Sequence, residues 1–307
     1  MIRVKVPASS ANMGAGFDTL GTAVALYSRI EVTETNSGLE IITKHPSGFI
    51  PQGENNLIYR AMKTVFDNVG YRPRGLRIVQ DSDIPMTRGL GSSSGCIAGG
   101  MLAANIMAGR QLSYPEILDL AAAMEGHPDN VAPAIYGGMC ISLTHEGHTV
   151  TRSIKLDPKL KFAVMIPDFY VQTKRSRGVL PDMIPREDAS FNIQRAAMLV
   201  YAMEHCDTEL LRCAVEDRLH QPYRKCYIDG FDEIIKKSYE NGACAAYLSG
   251  SGPTIVSILD RDYDAFAQRM QDYFKENGGG WVCMILDADN VGSVVSYPID
   301  KKINNNK

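Results

Sequence analysis

The sequence predicts an α+β protein of two domains: a mixed α/β N-terminal domain over 1–155 and a ferredoxin-like βαββαβ C-terminal domain over 156–300, followed by a polar tail at 301–307. Three observations carry that expectation. A chain of 307 residues is long enough for two cores. Its first half interleaves strand-like segments with segments of helical period. After residue 150 the order becomes strand, long helical stretch, strand, strand, helix, strand, which folds as an antiparallel sheet with helices packed on one face.

The elements follow from local pattern. Ile2, Val4 and Val6 alternate with Arg3 and Lys5, marking a strand over 2–6, and 28–34 and 39–44 are also strand-like. From Asn56 onward the period turns helical, with Leu57, Ile58, Ala61, Met62, Val65, Phe66 and Val69 on one face and Gly70 as the stop. A strand at 75–80 leads through a glycine-serine turn into a small-residue apolar helix at 96–108. Ser113-Tyr-Pro-Glu116 supplies an N-cap, an early proline and a capping-box acid for a helix reaching about Glu125. Residues 126–130 read as a short loop before a strand at 139–143. In the second half, strands are expected at 161–166, 243–248, 253–259 and 281–286, and helices at 188–218, 230–240 and 262–276.

Composition narrows the class of function. With 45% hydrophobic and 22% charged residues the chain reads as an ordinary soluble globular protein. A net charge of -3 without a long basic run argues against nucleic acid or an anionic membrane as the main partner, which leaves a small molecule. Seven cysteines without a C-x-x-C pair read as reduced thiols, and the chain enters a strand at once without a signal peptide. The longest apolar stretch, 96–109, is too short and too rich in small residues to span a bilayer. A cytoplasmic location is expected.

The most informative segment is Pro85-Met-Thr-Arg-Gly-Leu-Gly-Ser-Ser-Ser-Gly95. Glycines let backbone amides approach an anion, the first turn of the following helix leaves its amides unpaired, and the helix dipole favours negative charge there. A Gly/Ser run is often only a flexible turn, but one set between a strand and a buried helix is a poor linker. No lysine follows the last glycine, so this is not a P-loop. Two further glycine-rich segments stand out. Pro7-Ala-Ser-Ser-Ala-Asn-Met-Gly-Ala-Gly-Phe-Asp18 delivers Asn12 and Asp18 from a loop, where Asx turns are the plainer reading. Leu248-Ser-Gly-Ser-Gly-Pro-Thr-Ile255 reads as a tight hairpin connection.

In this order and spacing the three segments resemble the signature blocks of the GHMP small-molecule kinases, which include galactokinase, homoserine kinase, mevalonate kinase and phosphomevalonate kinase. The resemblance spans nearly the whole chain. It is strongest to the homoserine kinases, through Ser10–Asp18, Glu125-Gly-His-Pro-Asp-Asn-Val-Ala-Pro-Ala134 and Thr173-Lys-Arg-Ser-Arg177 ahead of Leu180-Pro181. It implies a GHMP-kinase-like fold and ATP-dependent phosphorylation of the L-homoserine hydroxyl, within threonine biosynthesis.

The resemblance also implies roles for residues. Pro85, Arg88, Gly89, Leu90, Gly91, Ser92, Ser93, Ser94 and Gly95 would form the ATP turn, and Ser93 with Glu125 would hold Mg²⁺. Asn56 resembles the adenine contact, with a helix cap as the equal alternative. Asn12 and Asp18 resemble the ammonium side of the substrate site, and Arg177 and Arg224 its carboxylate clamp. Thr173 and His127 would line the pocket. Asp129 sits where relatives place an aspartate near the accepting hydroxyl, as orienter or proton acceptor, so Asp129 and Arg177 are the residues expected to carry the transfer. Members acting on sugars or mevalonate commonly pair that aspartate with a lysine from the first block; this chain has Asn12 there and no cationic replacement. The alternatives are a GHMP kinase with a mevalonate-like acceptor, or an ATP and metabolite sensor without turnover. Threonine is a candidate feedback inhibitor, and a homodimer is a candidate assembly.

Overall fold

Apolar side chains at every second position set the first layer. In the computed structural model, which describes residues 1–44 and 50–297, β1 (Ile2–Ala11) buries Ile2, Val4 and Val6 and exposes Arg3 and Lys5. It pairs antiparallel with β2 (Leu20–Glu34), a strand long enough to serve two further neighbours. The outer half of β2 carries β4 (Gly75–Ser82), and its Leu20–Thr22 end carries β5 (Met139–His145). β3 (Gly38–Lys44) adds parallel to β4, and β6 (His148–Ile154), which the sequence pattern missed, pairs with β5.

The parallel β3–β4 pair needs a crossover, and α1 (Leu57–Val69) provides it. Asn56 caps this helix, its side-chain oxygen accepting from the Ile58 and Tyr59 amides at 2.9 and 3.3 Å, and Gly70 ends it in the left-handed region. α2 (Ser92–Met107) is buried against β1, β2 and α1, with Ile97, Met101 and Leu102 in the core beside Ile30, Val32 and Ile58. Its small residues permit that approach: a Cβ on Gly100 would lie 2.7 Å from the Ile58 carbonyl oxygen. α3 (Tyr114–Glu125) opens on the expected capping box of Ser113 and Glu116 and ends at Gly126.

Residues 126–130, expected as a short loop, instead start a helix, α4 (Pro128–Tyr136). Two prolines hid it. Pro128 occupies the first turn, where a missing N–H removes no helical bond, and Pro133 removes only the bond its own amide would give to the Asp129 carbonyl. That carbonyl lies against β2 instead, so close that a Cβ on Gly21 would sit 1.7 Å from its oxygen.

In the second domain β7 (Lys161–Pro167), β8 (Ala245–Leu248), β9 (Ile255–Leu259) and β10 (Trp281–Asp287) form an antiparallel sheet in the order β10-β7-β9-β8, as a ferredoxin-like unit requires. A short α5 (Thr173–Arg177) follows β7. The helical stretch expected over 188–218 is broken: α6 (Arg186–His205) stops at Cys206, whose φ is +54°, and Asp207 caps α7 (Thr208–Ala214) by accepting from the Leu210 amide. α8 (Gln221–Arg224), one 3-10 turn, α9 (Phe231–Glu240) and α10 (Tyr263–Glu276) complete the helices.

The expectation of helices on one sheet face needs correction. Ala163, Met165 and Ile255 pack on Ile234, Phe266 and Met270 of α9 and α10, but alternate residues Phe162, Val164 and Val256 also bury, against Leu199 and Met203 of α6 and against Met13 and Leu20 of the first domain. One core therefore runs across both domains. A last strand, β11 (Val294–Ser296), returns to pair with β1, so the span 156–300 assigned to the second domain gives its end back to the first sheet. The expected tail at 301–307 lies outside the described residues. Among the described residues no helix is long and apolar enough to cross a membrane.

Gly21→Ala should destabilise the protein by roughly 1–3 kcal/mol, the usual cost of overpacking, by forcing α4 off β2. Differential scanning calorimetry checks this as a lower thermal midpoint. An unchanged midpoint would show that the helix is not pinned there.

Candidate active site

The glycine-serine turn adopts the geometry an anion cradle needs. Gly89 and Gly91 both take positive φ, +75° and +67°. Side chains are excluded there as well as disfavoured, since a Cβ on Gly91 would lie 2.0 Å from Ser9 Oγ and one on Gly89 would lie 2.4 Å from the Ser249 carbonyl oxygen. Gly91 is the N-cap of α2, and the first helical bond is donated by the Gly95 amide to the Gly91 carbonyl at 2.8 Å. The amides of Ser92, Ser93 and Ser94 thus precede the ladder and have no intrahelical acceptor, at the positive end of the helix dipole.

Ser93 Oγ reaches across to the last residue of α3, donating toward Glu125 Oε1 and Oε2 at 2.5 and 2.6 Å. A carboxylate at a helix C-terminus is repelled by the dipole, so Glu125 is not there for the helix. A serine hydroxyl and a carboxylate converging beside unpaired amides are hard oxygen donors, and the set fits Mg²⁺, which commonly takes one or two protein oxygens with phosphate oxygens and water. Asp18, His127 and Asp129 also converge, but Asp18 already holds Arg177.

The pocket beside the cradle is polar. His127 is the N-cap of α4, and its Nδ1 lies 2.5 Å from Oδ1 of Asp129, which is buried. Burial pulls the His127 pKa down, but the hydrogen bond to Asp129 and the charge of that carboxylate outweigh it, and the net shift is upward. Arg177 grips Asp18 with both ends of its fork, at 2.6 and 3.1 Å, a contact that raises its pKa further. Asn12 accepts from the Asp18 amide and donates to the Gly250 carbonyl, each at 3.0 Å. Arg224 is buried and donates to the same Gly250 carbonyl at 2.9 Å. Burial and the neighbouring charge of Arg177 push its pKa down to about 10, so it stays cationic at neutral pH. The Phe17 ring lies under both guanidiniums, 5.7 Å from that of Arg177 and 5.3 Å from that of Arg224. Thr173 Oγ1, at the start of α5, is 3.3 Å from Ser251 Oγ.

A second cleft meets the first at Thr87, Ser92 and Ser93. Its walls are mostly apolar, with Ile50, Pro51, Leu57, Ile58, Ile84 and Met86, and its polar groups include Thr43, Gln80 and Ser82. Asn56 lines it with its amide already engaged, capping α1 and donating to the Pro51 carbonyl at 2.9 Å. The cap reading is thus the one its hydrogen bonds satisfy.

Most of the residues singled out in the sequence come together at the paired clefts. Asn12, Arg88, Gly89, Gly91, Ser92, Ser93, Glu125, His127, Asp129, Thr173, Arg177 and Arg224 line the polar pocket, and Asp18 adjoins it through Arg177. Four do not face either cleft. Pro85 lies in a separate groove beside Trp281 and Val282, Leu90 points into the core, Ser94 is fully buried with its hydroxyl unpartnered, and a Cβ on Gly95 would face Ile84 and Val6. Arg88 turns toward the second domain, donating to the carbonyls of Pro167 and Asp168 at 2.9 and 2.7 Å. Sequence reasoning missed Asn130 and Ser251, which line the pocket, and Ser9, whose hydroxyl donates to Asn130 at 2.8 Å. Gln80 and Ser82, two apart on β4, carried the available signal for the second cleft: one strand face.

Known proteins resemble this chain in sequence and fold. The family models for the GHMP kinases N terminal domain and the GHMP kinases C terminal match residues 56–138 and 199–276. A homoserine kinase of Caldicellulosiruptor bescii is 49% identical over 297 residues, covering 96% of this chain and 97% of that one. A homoserine kinase of Clostridium botulinum is 45% identical over 296 residues, covering 96% and 98%. The crystal structure of homoserine kinase from Cytophaga hutchinsonii superposes with a TM-score of 0.86 at 27% identity, covering 96% of this chain and 97% of that one. An L. major mevalonate kinase, at a TM-score of 0.71, 15% identity and 94% and 96% coverage, shares the fold.

Gly91→Ala should weaken ATP binding by about tenfold or more, because the new methyl must displace Ser9 and distort the amides of the first turn. Titration calorimetry with ATP reads the change. Unaltered affinity would remove the cradle from the binding site.

Proposed function

This chain belongs to the GHMP kinase family, and from that premise we propose that it transfers the γ-phosphoryl group of ATP to the side-chain hydroxyl of L-homoserine, giving ADP and O-phospho-L-homoserine for threonine biosynthesis. The observation that carries the reading is the meeting of an apolar cleft and a doubly charged polar pocket at the N-terminus of α2. The nucleoside occupies the apolar cleft, and the first-turn amides hold the phosphates. Asp18 and Arg177 lie side by side with Arg224 close by, so the pocket offers an anion and cations within the span of an amino-acid zwitterion. Asp18 and Asn12 face the ammonium, and Arg177 and Arg224 the carboxylate.

In this reading Asp129 holds the accepting hydroxyl, which is supported by the contact through which His127 fixes its carboxylate. Among the described residues no lysine lines this pocket, and phosphoryl transfer passes through a loose transition state that positioning and charge neutralisation can serve. Mg²⁺, held by Ser93 and Glu125, would neutralise phosphate charge. The hydroxyl oxygen bonds to the γ-phosphorus as the bridging oxygen leaves with ADP, and the hydroxyl proton passes to Asp129 or to an oxygen of the transferred phosphoryl group.

A mevalonate-like acceptor has no ammonium for Asp18 to meet. A sensor without turnover has no use for a metal-ligand pair and an acceptor-side aspartate in one pocket. Threonine carries the same ammonium and carboxylate and would compete for the same clamp. The seven cysteines, none paired, support a cytoplasmic setting.

A coupled ADP-release assay over a panel of family acceptors should show turnover with homoserine and little with mevalonate; no turnover with any acceptor would favour the sensor. Arg224→Ala should raise the homoserine KM by about tenfold or more with the ATP KM nearly unchanged. Equal losses for both substrates would count against its place in the clamp. Glu125→Gln should lower kcat by roughly a hundredfold and raise the Mg²⁺ requirement, as measured in a metal titration.

A further inference from the structure

Arg224 makes no ion pair among the described residues, which is unusual for a buried guanidinium. Its hydrogen bonds run to the Gly250 carbonyl, to the Ser176 carbonyl at 3.3 Å, and from Nη1 to Nδ1 of His220 at 3.3 Å. His220 is itself fully buried and four residues away, across α8. Its other ring nitrogen, Nε2, lies 2.8 Å from the Gly14 carbonyl oxygen. A carbonyl only accepts and a guanidinium only donates, so both contacts demand one state of the ring: neutral, with hydrogen on Nε2 and a lone pair on Nδ1.

The surroundings hold that state. The Phe17 ring stacks on the imidazole at 5.4 Å and 24°. Asp217 comes within 3.5 Å of Nε2, but its carboxylate already accepts from the Asn192 side chain and from the amides of Leu219, His220 and Gln221. These donors satisfy the acid and fix the backbone from which His220 projects. Burial lowers the pKa of the imidazole, in the same direction.

We propose that His220 is a positioning residue for the acceptor site, aiming the Arg224 guanidinium at the substrate carboxylate while leaving its charge undiminished. A carboxylate in the place of His220 would orient Arg224 equally well but would compete with the substrate for its charge. A neutral ring lone pair orients without competing. The inference rests on the reading of Arg224 as a carboxylate ligand.

The test compares two isosteres. His220→Gln keeps an amide donor for Gly14 and removes the acceptor facing Arg224; the homoserine KM should rise by about tenfold, with kcat and the ATP KM nearly constant. His220→Asn places an oxygen near the position of Nδ1 and should retain most of the affinity. Equal loss for ATP and homoserine in His220→Gln, or no loss, overturns the proposal. Arg224→Lys separates the two layers: if it leaves the homoserine KM unchanged, the underlying reading of Arg224 fails, whereas a rise there without one in His220→Gln overturns only the role of His220. Should either His220 variant fail to fold, nitrogen NMR of the histidine-labelled wild-type protein still decides. A neutral Nε2–H ring with a hydrogen-bonded Nδ1 is expected for His220, and an imidazolium or the opposite tautomer would refute it.

Discussion

The contact on which the rest depends is the seating of one glycine turn on another. Gly89 packs so tightly on the 249–252 turn that no side chain fits between them, and Ser249 Oγ donates to the Gly89 carbonyl at 2.6 Å. Arg88 adds two bonds to carbonyls at the end of β7. The N-terminus of α2 is thereby fixed from both domains at once: from behind by the small-residue packing of the helix, from in front by β7, β8 and β9 through their connections. A buried hydrogen bond of this kind adds about 1 kcal/mol. Its larger effect is geometric, since it decides where three unpaired amides point.

The same turn organises the acceptor side. The Gly250 carbonyl accepts from both Asn12 and Arg224, and the Gly250 amide donates to the Ala11 carbonyl at 3.0 Å. One peptide thus ties the first segment, the cradle and the arginine of α8 into a single piece. The charged groups around it divide by burial. Arg177 and Asp18 are partly exposed and neutralise each other, while Arg224 is buried among neutral acceptors and remains a standing positive charge.

Where local chemistry decides structure, the chain was legible. The caps of α1 and α3 and the stop at Gly70 follow from residues within four positions of one another. α4 was hidden because its two prolines and an Asp-Asn step carry loop chemistry, and only packing against β2 makes the helix worthwhile. The helical stretch over 188–218 was read as continuous because nothing in its period announces a left-handed cysteine. In the site, motif contiguity swept in Leu90 and Gly95, which alternate away from the cleft toward the core. It also left out Asn130, Ser251 and His220, whose partners are remote in the chain: Ser9 for Asn130, and Gly14 for His220. The pairing of Asp18 with Arg177 spans 159 positions and leaves no trace in spacing.

The returning strand β11 bears on how the molecule is made. Arg3 lies opposite Ser296, so the outer edge of β1 stays uncovered until a strand from beyond the second sheet returns to it. The N-terminal sheet also shares Met13 and Leu20 with a core completed by Tyr247 and Val256. Both closures join residues remote in sequence, and such long-range pairing is slow to form. Until that pairing forms, β1 presents an unguarded strand edge to other chains.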